Sequence, residues 1–143
     1  MINEYILGVP KPTARPRASS RHGKAFIYNP DSKAMKEWKL QIDASMSRHA
    51  NKGLEGAMKV TLEFYLPRPK SHFRAGKYSH LLKADAPDAE SIRADVDNLA
   101  KAVLDRMTAS GYINDDRQIT ELTVTKEWND LFDAGCRVTT EVL

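Results

Sequence analysis

Apolar and polar positions change their period several times along the chain, and each change marks an element. Residues 2–7 read as a short strand, closed by Gly8 and Pro10. Residues 9–24, rich in Pro, Arg, Ser and Gly, read as irregular, and 25–28 as a second short strand. Pro30 with Asp31 or Ser32 predicts a helix start. Met35, Trp38, Ile42, Met46 and His49 then recur at spacings of three and four, an amphipathic helix to about residue 49. Residues 51–56 break it. Met58, Val60, Leu62, Phe64 and Leu66 alternate with Lys59, Thr61, Glu63 and Tyr65, the pattern of a strand with one buried face.

Residues 67–93 have no period and carry Pro67, Pro69, Gly76 and Pro87, which predicts a long basic loop, mobile without its ligand. Leu99, Val103 and Met107 share a helix face over about 97–109, with Gly111 placed to stop it. Leu122, Val124 and Trp128 share one phase of a strand over 119–128, and Lys126 shares it with them. Such a lysine either finds a carboxylate partner, the nearby aspartates being the obvious ones, or snorkels to water. Residues 129–135 read as a turn, and Cys136, Val138, Thr140 and Val142 as a closing strand that makes a hairpin with the one before. The expectation is an α+β fold, one mostly antiparallel mixed sheet with two helices packed on one face. A length of 143 residues suits a single domain over 1–143.

Composition narrows the setting. With 41% hydrophobic and 29% charged residues the chain is an ordinary globular one. No apolar run approaches the roughly 20 residues of a membrane span, and the first ten residues lack a secretory pattern. The single cysteine, Cys136, leaves no intramolecular disulfide and suits a cytoplasmic protein. It reads as core. No phosphate-binding glycine loop implies a nucleotide cofactor, and His22, His49, His72 and His80 do not cluster as metal ligands. Trp38 and Trp128 read as core, with base stacking as the alternative.

A formal net charge of +3 is mild, but its distribution is uneven. Residues 1–40 hold eight Lys and Arg against three acids, and 67–83 hold five against none, whereas 84–130 hold eleven acids against five bases. Basic segments around an acidic centre suit a protein that attracts a polyanion and holds cations at one spot. Arg15, Arg17, Arg21 and Lys24, and Arg68, Lys70, Arg74 and Lys77, are the candidate phosphate contacts. Two solvated basic loops are the plainer alternative.

The acidic centre carries the chemistry. Asp95 and Asp97 stand two apart just before the second helix, where extended backbone would point both carboxylates the same way. At about 5 Å they would repel by roughly 3 kcal/mol at an effective dielectric near 20, which a bound cation offsets. Oxygen-only donors favour Mg²⁺ or Mn²⁺ over zinc. Asp97, Lys101 and Asp105 follow at helical spacing on one polar stripe; the structural alternative has Asp97 capping the helix and pairing with Lys101. Asp115 and Asp116 come next, and a returning strand would bring Asp116 back beside the first pair. A solvated turn is the alternative there.

The run Asp95, Asp97, Asn98, Leu99, Lys101, Asp105, Gly111, Asp115, Asp116, Gln118, Ile119 and Lys126 resembles the RusA family of Holliday-junction resolvases, from bacterial and prophage genomes. Gly8, Pro10, Arg15, Arg17 and Tyr28 are similar to the family's opening, whereas Ala94 stands where many members have proline or a basic residue. The resemblance implies a Mg²⁺-dependent endonuclease, with Mn²⁺ as a substitute, that resolves four-way junction DNA by paired symmetric nicks as a homodimer. It implies Asp95, Asp97 and Asp116 as metal ligands and Lys101 as the catalytic lysine, with Asp105 and Asp115 structural. A junction- or duplex-binding dimer that no longer cuts is the rival, against which stands the anionic set itself. A different Mg²⁺ enzyme using Asp-x-Asp, a phosphatase or glycosyltransferase, is a second rival, but a phosphatase of that kind would want its aspartates ending an early parallel strand of a larger α/β fold.

Overall fold

A computed structural model describes residues 2–13, 17–21, 23–28, 31–49 and 54–143, with the backbone alone at 17–19, 21 and 26–28. The alternating segment becomes one of the two interior strands of a four-stranded sheet, β4 (Met58–Leu66). All five of its apolar side chains are buried against the helices. β6 (Gly135–Val142) pairs antiparallel with β4 on one side and with β1 (Ile2–Leu7) beyond it. β5 (Ile119–Trp128) pairs parallel with β4 on the other side. The order is β1-β6-β4-β5.

The expected hairpin between β5 and β6 is therefore wrong, because β4 lies between them. Alternation predicts strands but not their neighbours. β4, with an unbroken apolar inner row, occupies an interior position. β5, whose inner row includes Lys126 and a half-exposed Leu122, forms an edge.

α1 (Lys33–Met46) and α2 (Val96–Ala109) cover the inner face, within three residues of the predicted bounds. Ser32 caps α1, its Oγ accepting from the Met35 amide at 3.1 Å. Met35, Trp38, Ile42 and Met46 from α1 and Leu99, Val103 and Met107 from α2 close on the sheet. The helices are clamped by Arg106, which donates to both Asp43 oxygens at 2.7 and 2.9 Å. β3 (Lys24–Tyr28) is the second short strand that the sequence predicts, and it pairs antiparallel with β2 (Arg17–Arg21), which lies in the predicted irregular stretch, with Gly23 in the turn at φ 77°. Polar composition hid β2, whose ladder bonds are backbone to backbone.

Opposite the helices the sheet is half open, and rings gather there: Tyr5 stacks on Tyr65, and Phe132 meets Tyr65 edge-on. Gly135 passes beneath Tyr5 so closely that a Cβ would lie 2.3 Å from the Ile6 carbonyl oxygen. Cys136 is buried beside it on the inner row, and burial pushes its thiol well above the ordinary range.

Residues 67–93 fold back on themselves through short 3-10 turns and a bridge between Phe73 and Leu82. Arg68 ties their base. Its guanidinium donates to Asp130 at 2.8 and 3.0 Å and to the Pro87 carbonyl at 2.6 Å, and it lies over the Trp128 ring.

Candidate active site

Helix α2 begins where the acidic run predicts, and its polar stripe faces outward. Asp95 is the N-cap, in extended conformation, and its side chain makes no capping bond. Asp97 lies in the first turn and Lys101 one turn on; all three are exposed. Two sequence expectations change here. Val96 is already helical, so Asp95 and Asp97 do not stand on one extended segment, and the cap is Asp95 rather than Asp97. Lys101 pairs with Asp105, at 3.4 Å, rather than with Asp97.

The end of α2 returns the chain to this stripe. Gly111, at φ 76°, takes the left-handed position after the helix. Its amide bonds Thr108 O at 3.1 Å and the Tyr112 amide bonds Met107 O at 3.1 Å, a Schellman closure. Tyr112 and Ile113 then plunge into the core, and Ile113 bridges to Leu54. Asp115 accepts from the Arg117 amide at 2.8 Å, and the Asp115 and Asn114 amides donate back to Gln118 Oε1. Those bonds from Arg117, from its backbone first, hold the Asp115 carboxyl below the usual range. Gln118 Nε2 in turn donates to the Leu54 and Gly56 carbonyls at 2.8 and 3.2 Å. With Asp115 spent on the turn, Asp116 is left to the surface beside α2.

A groove of about 300 Å³ results between α2 and β5. Asp97, Lys101, Asp105 and Asp116 form its polar rim, and Ala100, Leu104, Leu122 and Val124 are among its apolar walls. Asp95 stands at the N-cap, two residues before Asp97. The donor chemistry is all oxygen, which suits a hard divalent ion that keeps several waters and is held by one or two carboxylates and substrate phosphate. As the side chains stand, no three Asp, Glu, His or Cys groups among the described residues are close enough to enclose one ion.

Lys126 points inward as its phase predicts, but its partners are not carboxylates. Its Nζ donates to the Ile92 and Ala94 carbonyls at 2.9 and 3.0 Å. It thus pins the segment leading into Asp95, a role that a sequence motif does not announce. Of the candidate phosphate contacts, Arg15 lies outside the described residues, and Arg17 and Arg21 are described by backbone only. Lys24, Lys70, Arg74 and Lys77 are exposed. Lys70 and Arg74 line a cleft with Phe73 and Ser79, and Lys77 lies over Tyr78. Arg68 is spent internally, its side chain only 7% exposed.

An α+β domain that sets carboxylates and a lysine around an open groove suits a phosphodiester-cutting enzyme. Residues 8–140 match the family model described as Endodeoxyribonuclease RusA, and the chain belongs to that family of Holliday-junction-resolving endodeoxyribonucleases. Its members generally depend on a divalent metal, and their substrate is DNA. A Bacillus subtilis (strain 168) protein, YqaN, named as uncharacterized, is 29% identical over 131 residues, 90% of this chain and 89% of its own. Among the described residues no helix is long and apolar enough to cross a membrane.

Proposed function

We propose that this endonuclease resolves four-way DNA junctions in the cytoplasm with Mg²⁺, which Mn²⁺ can replace, as a homodimer making two symmetric nicks. The observation that carries the reading is the shared groove, in which Asp97 and Asp116 come from different elements yet rim one space with Lys101. Asp95, Asp97 and Asp116 are the residues that would hold the ion, their exposed carboxylates drawing together around it. When bound, it supplies Lewis-acid charge at the phosphate and makes a water more acidic. The Lys101 ammonium stabilises charge that grows on the phosphate oxygens in the transition state. Its present partner, Asp105, is an exposed pairing of about 0.3–0.5 kcal/mol, easily exchanged for a phosphate. Gln118 and Asp115 keep Asp116 in place, and Lys126 keeps Asp95 in place. A two-fold dimer supplies two such grooves in matched orientation for the two strands of a junction.

The test is a nicking assay on a synthetic four-way junction with and without Mg²⁺, comparing wild type with Asp97→Asn. Asp97→Asn should cut at least about 100-fold more slowly, yet bind the junction as tightly or more tightly, since one repulsive charge facing phosphates is gone. Wild-type cutting rates in Asp97→Asn would sink the metal assignment.

A further inference from the structure

Beyond the metal groove lies a second one, lined by none of Asp95, Asp97, Lys101 and Asp116. It has a volume of about 390 Å³, within the range of roughly 300–1,000 Å³ typical of ligand clefts. Pro10, Lys11, Leu66, Ile92, Arg93 and Trp128 line it. Trp128 is half-buried and held in place from several sides. Its Nε1 donates to Asp88 O at 3.1 Å, Arg68 lies 5.2 Å from its ring centroid, and His72 meets it edge-on. A ring so fixed loses little freedom when a ligand stacks on it. Among the described residues the only charged side chains lining the groove are the cations Lys11 and Arg93, and no acid lines it.

Its position matters as much as its chemistry. Arg93 and Ala94 line the groove, and Asp95 follows directly at the cap of α2. Two residues of chain span less than about 8 Å, so the Arg93 edge of the groove lies about one nucleotide from the Asp95 cap. Lys126, by bonding Ile92 O and Ala94 O, holds the strip that joins them.

We infer that this groove takes one unstacked base of the DNA, laid against Trp128, with Lys11 and Arg93 meeting the flanking phosphates. The inference rests on the nuclease reading for its substrate and adds to it a source of branch selectivity. Extracting a base from a continuous duplex costs a few kcal/mol, and least where stacking is already interrupted. At a crossover the base is delivered cheaply, and the neighbouring phosphate then falls beside Asp95. In plain duplex the same placement carries the full unstacking cost.

The experiment crosses a protein change with a substrate change. Four-way junctions carry an abasic sugar at each nucleotide flanking the crossover in turn, and affinity is read in EDTA so that nothing is cut. Wild type should lose affinity at one position by about 5- to 150-fold, the usual range for one base–aromatic stack. Trp128→Leu should show a similar loss on the intact junction and almost no further loss at that position, while Trp128→Phe keeps most of the wild-type ratio. Because Trp38 is buried, tryptophan emission quenched by the intact but not the abasic junction would report Trp128. No sensitive position in the wild-type scan overturns the inference, even if Trp128→Leu fails to fold. Equal abasic losses in wild type and Trp128→Leu overturn it too. Cutting in Mg²⁺ is scored apart: base-dependent binding without cutting removes the nuclease reading and keeps the groove. Cutting with no base dependence does the reverse.

Discussion

At the scale of single residues, the site depends on a few side chains whose partners are now specific. Lys126 gives its ammonium to two carbonyls, and Lys126→Met would leave both short of a donor in a half-buried place, costing about 1–3 kcal/mol. Single-turnover cutting should fall about tenfold or more with junction affinity little changed. Lys126→Arg should recover part of the rate, since it still donates, and a purely structural lysine would lose stability without that recovery. Lys101 differs, being exposed and replaceable in its ion pair. Lys101→Ala should slow turnover by two or more orders of magnitude, and Lys101→Arg should rescue poorly because a wide fork does not fit a point-charge position. Reduced affinity at an unchanged single-turnover rate would make Lys101 a phosphate anchor only. Gly135→Ala tests the sheet alone: its Cβ, 2.3 Å from Ile6 O, forces β1 and β6 apart and should cost about 1–3 kcal/mol in urea unfolding.

At the scale of elements, periodicity carried most of the fold. The two helices, β4 and the closing strand lie within three residues of where the apolar spacing puts them, because each buries one face against one core. The pairing of β5 was not legible: a strand's period says which face is buried and nothing about which neighbour it bonds. Asp95, Asp97, Lys101 and Asp116 were legible as a motif, whereas the bonds that hold the segments carrying Asp95 and Asp116, from Lys126 and Gln118 to backbone carbonyls, leave no trace in residue spacing. The clamp of residues 67–93 was hidden for the same reason, since Arg68 and its partner Asp130 are 62 positions apart. That clamp has a pH signature. Hydrogen bonds from Arg68 hold the Asp130 carboxyl below its ordinary 3.8, so the pair contributes fully above that value and is lost as pH falls through the depressed one. As pH falls, the backbone amides of Arg74 and Lys83, bonded inside the loop, should lose protection relative to their intrinsic exchange rates before the sheet amides do, and Arg68→Ala should bring that loosening to neutral pH. Equal protection in Arg68→Ala and wild type at pH 7 would show that the loop holds without its clamp.

At the scale of the whole molecule, charge is partitioned between grip and chemistry. Lys70, Arg74 and Lys77 are among the exposed bases of the 67–93 segment, while the acids concentrate at α2 and the turn after it. Polyanion affinity then comes mainly from released counterions, and cutting comes from a site elsewhere. Replacing Lys70, Arg74 and Lys77 together with Gln should weaken junction binding and flatten the slope of log affinity against log salt by up to about three units, near 0.9 for each phosphate left without its cation. Arg68 is left in place because its charge is committed to Asp130. The cutting rate at saturating junction should stay within about twofold of wild type, since Asp97, Lys101 and Asp116 are untouched. A fall in that rate would mean that the loop also orients the scissile strand. An unchanged salt slope would place the loop on the far side from DNA and return the grip to the β2–β3 ribbon, where Lys24 is exposed.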